Sequence, residues 1–359
     1  MNSKLILLLL KSIELRAELR LQSKIAWDQS LIQLNFIPVA YSNDEIDYQL
    51  AYMQGGGAIC EDISLLLFND NRPCGLWPLC VSVLEGTTTI NSYLHYGQFV
   101  IPPLFFKNTP DKTKKTITKK CLDLVDALCR SLQLNTWQSG ESFVDEVGMS
   151  EWYEQSLGLG GAVTLKHELF VNLKPEMMKV KGKFRRSYKS LISEGMRTWT
   201  VGIQKEENSK LWDSFHMLHQ SVAGKSTRCI ETWNLQHRAI DKGNAFLVHL
   251  HDQFGRMVGG GYFAVTRDQG VYNVGAYDRA LFDKPVGHVV QYSAMEEMKS
   301  RGIIWYKIGL RNYIQEQHVS PKQVSISNFM QGFSSHLFPK YLVQHFVKTP
   351  LAKELLGVK

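Results

Sequence analysis

Residues 271–308 read VYNVGAYDRALFDKPVGHVVQYSAMEEMKSRGIIWYKI, and the order of patterns within them decides the fold. Val271 to Ala276 has the composition of a buried strand, and the polar, proline-bearing run from Asp278 to Gly287 is a loop. Val290, Ala294 and Met298 then recur at intervals of four, Gly302 is an end signal, and Ile303 to Ile308 is another strand. Just upstream, Ala245–His251 (AFLVHLH) and Met257–Val265 (MVGGGYFAV) flank the turn Asp252 to Arg256 and make a hairpin. Leu211, Phe215, Leu218 and Val222 mark a helix before it, and Cys229 to Asp241 marks one more.

The same phrase occurs about half a chain earlier. Glu61–Phe68 (EDISLLLF) meets the turn cluster Asn69-Asp70-Asn71-Arg72-Pro73, and Gly75–Val83 (GLWPLCVSV) returns. A helix striped by Ile117, Cys121, Leu124, Leu128 and Leu132 follows. The reading is an α/β (α+β) protein of two related lobes, each a mainly antiparallel mixed sheet flanked by helices. Both hairpins are apolar at nearly every position, so each belongs in the middle of its lobe's sheet.

Length agrees, since 359 residues at roughly 150 per domain make two domains or one duplicated body. The expected organisation is an N-terminal helix over residues 1–24, a first lobe over 25–170, a second over 171–345 and a tail over 346–359. Hydrophobic residues at 44% with 21% charged exclude wholesale disorder, collagen and coiled coil. The net charge of +7 favours anionic ligands such as phosphates, tRNA or a membrane face without selecting one.

The six cysteines form no C-x-x-C pair and no zinc-spaced cluster, so they read as buried thiols of a reducing compartment and no metal site is expected. Leu5 to Leu10 is far shorter than the roughly 20 residues that span a bilayer, and charges follow at once. It is a helix packing on the body or on a partner, or a peripheral anchor; the expected location is the cytoplasm, or the inner face of the membrane, with no membrane span.

Four segments carry more than a fold. They are HELFVNLKPEMMKVKGKFRRSYKSLI from His167, TRCIETW from Thr227, NVGAYDRALFDKPVGHVVQYSAMEEMKSRGIIWYKIG over 273–309, and ISNFMQGF from Ile326. Together they resemble the FemAB-like branch of the GNAT-type acyltransferase superfamily, whose members carry two tandem GNAT-like lobes. The resemblance implies an N-acyltransferase that moves an acyl or aminoacyl group onto an amine of a sugar or cell-envelope precursor, with the second lobe catalytic. It implies no resident cofactor; the donor is acyl-CoA, a carrier-bound acyl group or aminoacyl-tRNA. In the family a loop of Gln or Arg, two residues, Gly, one residue, then Gly or Ala cradles coenzyme A. Here the matching positions are Lys284-Pro285-Val286-Gly287-His288-Val289, so the expectation is a donor without the usual cradle.

Amine acylation needs a deprotonated amine, a stabilised oxyanion and a proton for the leaving group. Asp278 and Arg279, at a strand end, are substrate contacts or a local turn and ion pair. His288 is a base or an exposed histidine at a helix start, and Tyr292 is a proton donor or a packing residue. Thr227, Arg228 and Trp233 form a second group: a carboxylate or phosphate clamp with an apolar wall, or a helix cap over a core tryptophan. Lys284 and Gly287 belong to the donor loop. Lys307 and Arg311 are solvated charges or the far wall of the cleft. The cations Lys179, Lys181, Lys183, Arg185, Arg186 and Lys189 line a solvated face or hold a polyanion. A catalytically silent protein that recognises tRNA or an anionic glycan is the alternative function. Gly55-Gly56-Gly57 and Gly259-Gly260-Gly261 lack the context of nucleotide loops and read as loop and sheet glycines.

Overall fold

The computed structural model describes residues 3–93, 99–146 and 148–347; the expected tail beyond Val347 lies outside them. Two compact units divide the chain: Met1–Phe36, Ala40–Leu165 and Lys340–Lys359 form the first, and Ile37–Val39 with Lys166–Pro339 forms the second.

In the first unit α1 (Ser3–Ser12) buries Ile6 and Leu10 in the core. β1 (Ala17–Leu19), α2 (Lys24–Leu31) and α3 (Asn43–Gly55) follow. Next come β2 (Ile59–Asp62), β3 (Leu65–Asn69), β4 (Arg72–Trp77), β5 (Cys80–Leu84), β6 (Thr87–Asn91) and β7 (Leu104–Phe105). α4 (Asp111–Ser131), β8 (Thr136–Gly140) and α5 (Glu151–Gly158) complete this part. The stripe read from sequence is buried as expected from Ile117 to Leu128.

The first hairpin is present as β3–β4, turning at Asp70, whose φ is +55°. It lies inside the four-stranded order β1-β3-β4-β7. The two apolar runs nevertheless do not stay in one sheet. Each bends, at Ile63-Ser64 and at Pro78-Leu79, and enters a second sheet of order β2-β5-β6. Pro78 has no amide hydrogen for a ladder. Ser64 Oγ, which accepts from Leu79 N at 3.0 Å, holds the two bends together.

In the second unit the chain runs through β9 (Ala162–Asn172), which enters it at Lys166, then α6 (Met177–Gly182), α7 (Arg186–Thr198), β10 (Thr200–Gln204), α8 (Ser209–Ala223) and α9 (Ile230–Asp241). It continues through β11 (Ala245–His251), β12 (Met257–Val265), β13 (Gln269–Tyr277), α10 (Val286–Ser300), β14 (Trp305–Arg311), α11 (Pro321–Gln331) and the start of β15 (His336–Phe346), whose residues from Lys340 on belong to the first unit. The sheet order here is β10-β11-β12-β13-β14-β9. All these pairs are antiparallel except β13 with β14, and the hairpin β11–β12 is central as its apolar sequence requires.

Helices cover both faces. α7, α10 and α11 pack on one face around Val248, Val258, Phe263 and Tyr306, while α8 and α9 pack on the other around Leu247, Tyr262 and Ala276. The glycine triplet in β12 follows from this sandwich. A Cβ at Gly259 would run into Val286 of α10, one at Gly260 would lie 2.9 Å from Phe215 of α8, and one at Gly261 would lie 2.9 Å from Val290 of α10. These are sheet glycines that let helices approach from both sides.

Candidate active site

β13 and β14 pair over three residues only: Gln269 with Trp305, Gly270 with Tyr306 and Val271 with Lys307. Beyond that point they part. Tyr272 to Tyr277 is paired on its β12 edge alone, and Gly309 to Arg311 on its β9 edge alone. Two parallel strands that separate leave a row of unpaired ladder groups facing a wedge, which an extended substrate can use. The first turn of α10, following β13, brings further amide hydrogens and the positive end of its dipole.

Four side chains that the sequence did not single out meet behind this wedge. The Tyr272 and Tyr277 hydroxyls share a hydrogen bond of 2.9 Å. The fully buried Tyr306 donates its hydroxyl to Gln291 Oε1. Gln291 is itself buried, and its NH2 end makes no hydrogen bond of good geometry. Burial pushes Tyr277 up to about 12, with the Tyr272 hydroxyl and the Gln291 amide pulling the other way, so this phenol stays protonated at neutral pH.

The expected site residues separate into two groups and do not line one cleft. His288 and Tyr292 face the α7 and α11 side. His288 is not the exposed histidine of one reading: its ring meets Tyr188 edge-on at 4.4 Å and Phe329 at 5.0 Å, and its Nε2 is buried without a hydrogen bond. Burial, then the Arg185 charge, lower it to about 4, so it is neutral at pH 7. Tyr292 lies under Lys181, whose Nζ is 4.9 Å from the ring centre, and burial raises it to about 12. Its packing is with α6 as well as α10.

Asp278 caps the 3₁₀ turn after β13, accepting from Ala280 N at 3.0 Å, and receives Arg256 Nη1 at 2.7 Å. Arg256 also reaches Asp252 at 3.2 Å, tying the β11–β12 turn to this one. Asp278 is thus the turn and ion-pair residue. Arg279 beside it is exposed. Lys284 is exposed too, 3.3 Å from Asp283. Gly287 lies against Phe329, 3.2 Å from where its Cβ would be, so α11 closes over the first turn of α10. Val289 is fully buried and fills the space above Gly195 of α7, so its bulk points away from the loop.

On the opposite face of the sheet, Trp233 is a core residue, 2% exposed, between α8 and α9. Arg228 lies over its ring at 3.8 Å and donates to Gln236 Oε1 at 2.7 Å, while Thr227 is exposed. Trp233 is thus the core tryptophan of the second reading, covered by Arg228, but neither Thr227 nor Arg228 caps α9, whose N-cap is Cys229; the sheet sets this group apart from His288. Lys307 binds the buried Glu168 at 2.6 Å, and Arg311 donates to Ser327 Oγ at 2.9 Å; neither is a solvated charge.

The basic stretch flanks α10. Arg185 lowers His288, Lys181 covers Tyr292, and Lys179, Lys183, Arg185 and Arg186 are exposed.

No family model matches the sequence, and no curated protein matches it. Solved structures do. FemX aligns with a TM-score of 0.65 at 11% identity, covering 94% of this chain and 98% of FemX. The chain has the fold of FemX. L-PGS from Bacillus licheniformis aligns with a TM-score of 0.58 at 10% identity, over 93% of this chain and 95% of that one. A tandem GNAT protein from the clavulanic acid biosynthesis pathway aligns at 0.50 and 9% identity, over 94% and 99%. Among the described residues no helix is long and apolar enough to cross a membrane, and no cluster of His, Cys, Asp and Glu is built to hold a metal.

Proposed function

We propose that the second unit is an N-acyltransferase that moves an acyl or aminoacyl group from a polyanionic donor onto an amine of a sugar or cell-envelope precursor. The observation that carries this is the three-residue pairing of β13 and β14 followed by their divergence. The fold shared with FemX, L-PGS and a tandem GNAT protein supports the reaction class. The exposed cations of α6 and α7 beside α10 favour a donor carried on tRNA or another polyanion. The usual coenzyme A loop also lacks its first residue, replaced by Lys284.

In this reading the donor's acyl arm lies along the open edge of β13, where backbone N–H groups receive the developing oxyanion. The acceptor amine attacks the carbonyl carbon. A C–N bond forms, the C–O or C–S bond to the carrier breaks, and the proton shed by the amine is balanced by one taken up by the leaving atom. Tyr277 supplies that proton, its phenol being held protonated and relayed through Tyr272. Arg279, exposed at the end of β13, contacts a phosphate or carboxylate of the substrate.

The test is product formation from labelled aminoacyl-tRNA, carrier-bound acyl groups and acyl-CoA with amino-sugar acceptors. Tyr277→Phe is expected to slow transfer by about 10²–10⁴-fold, the usual worth of a positioned acid, with an unchanged melting temperature. Tight tRNA or glycan binding with no product from any donor would favour a silent binding protein instead.

A further inference from the structure

α1 lies on the first unit with two unlike faces. Ile6 and Leu10 are buried in the core, whereas Leu7 is 48% and Leu8 is 66% exposed. Lys4 and Lys11 are exposed as well. Positions 4, 7, 8 and 11 recur at intervals of three and four and share one side of a helix. That side therefore sets two leucines between two lysines. A helix that is apolar on nearly every side is ordinarily covered on every side. α1 is covered on one.

The charge around it says what the other side meets. α4 packs alongside, and Lys120 Nζ donates to Glu14 O at 2.7 Å just past the end of α1. Residues 3–16 and 111–120 together carry eight cations against Glu14 and Asp111, an excess of six where the whole chain has seven. Lys114 and Lys115 are engaged by Asp111 at 2.9 Å and by Glu151 at 3.7 Å, while Lys112 and Lys119 are exposed. Cations alone would suit any polyanion. Leucines set among them suit a surface that is anionic outside and apolar just beneath, because the two kinds of side chain are stabilised together at the boundary of lipid headgroups and acyl chains.

We propose that the outer face of α1, with the first half of α4, docks the protein on an anionic phospholipid surface. Leu7 and Leu8 enter the acyl boundary, and Lys4, Lys11, Lys112 and Lys119 meet the headgroup phosphates. The docking face lies entirely in the first unit and does not rest on acyl transfer.

The full-length protein would be sedimented with vesicles of phosphatidylcholine and with vesicles of equal parts phosphatidylcholine and phosphatidylglycerol. Binding to the anionic vesicles alone, weakened by added salt, is the expected result. Leu7→Ala with Leu8→Ala should weaken it about tenfold or more and leave the melting temperature unchanged, since both side chains are exposed and alanine keeps the helix. Should the leucine pair lower the melting temperature, Lys4→Glu with Lys11→Glu is the second variant and is expected to weaken binding as well. No sedimentation with anionic vesicles, equal sedimentation with neutral ones, or binding unmoved by either pair of changes would overturn the proposal. So would binding that is lost on Lys189→Glu instead, which would place the contact on the basic stretch of the second unit. Vesicles ignored in favour of tRNA, held through Lys4 and Lys11 and indifferent to the leucines, would assign the face to nucleic acid and overturn it too.

Discussion

Arg279 and Asp278 are neighbours with opposite duties. Asp278 is engaged by Arg256 and by its own turn, whereas Arg279 is exposed. Arg279→Glu should therefore leave the melting temperature within the effect of an ordinary surface change, about 0.5 kcal/mol, and abolish transfer. Lys189→Glu, on the basic helix, is the comparison; equal effects of the two changes on turnover would remove Arg279 from the site. Arg20 in the first unit is the opposite case. Its guanidinium is fully buried and donates to Asp62 Oδ2 at 2.8 and 2.5 Å, to Asp47 at 2.8 Å and to Asn43 at 2.6 Å. Arg20→Ala leaves the buried Asp62 without its cation, with only Ser64 N and the Tyr93 hydroxyl still donating to it, so denaturant titration should show a loss of about 3–5 kcal/mol; a loss under 1 kcal/mol would contradict this.

At the scale of elements, the glycines of β12 set how near α8 and α10 can come. Gly261→Val is expected to destabilise by about 1–3 kcal/mol, as overpacking does, seen as a lower denaturation midpoint with unchanged slope. Stability equal to wild type would mean that α10 is not seated as described. The strands and helices around this point were legible because their periods are regular: Val290, Ala294 and Met298 all proved buried on α10. The tyrosine cluster was not legible. Tyr272 and Tyr277 are five residues apart, which strict alternation places on opposite faces. A bulge opposite Tyr262/Phe263 inserts Asn273 as an extra residue and turns both rings to one side. Only pairing partners reveal such an insertion. Trp233 failed in the other direction, because an arginine over an indole looks the same in sequence whether it caps a core or walls a cleft. The first hairpin was read as two straight runs because a bend leaves little trace in composition beyond Pro78.

For the molecule as a whole, four histidines, His219, His249, His288 and His345, are each held near 4 with burial as the first cause. Their folded values lie below the unfolded value of 6.5, so the stability they contribute is complete above pH 6.5 and declines as pH falls towards 4. The melting temperature should fall steadily across that window, and a flat profile from pH 7 to 4 would contradict the burial described. The central claim, that the divergence of β13 and β14 is where the donor binds, is tested most directly by hydrogen–deuterium exchange. The donor that supports turnover would be supplied as a non-transferable analogue. The account predicts slowed exchange over residues 272–277 and 286–289, reduced by Arg279→Glu. Protection confined to other segments, with these amides exchanging as in the free protein, would contradict it.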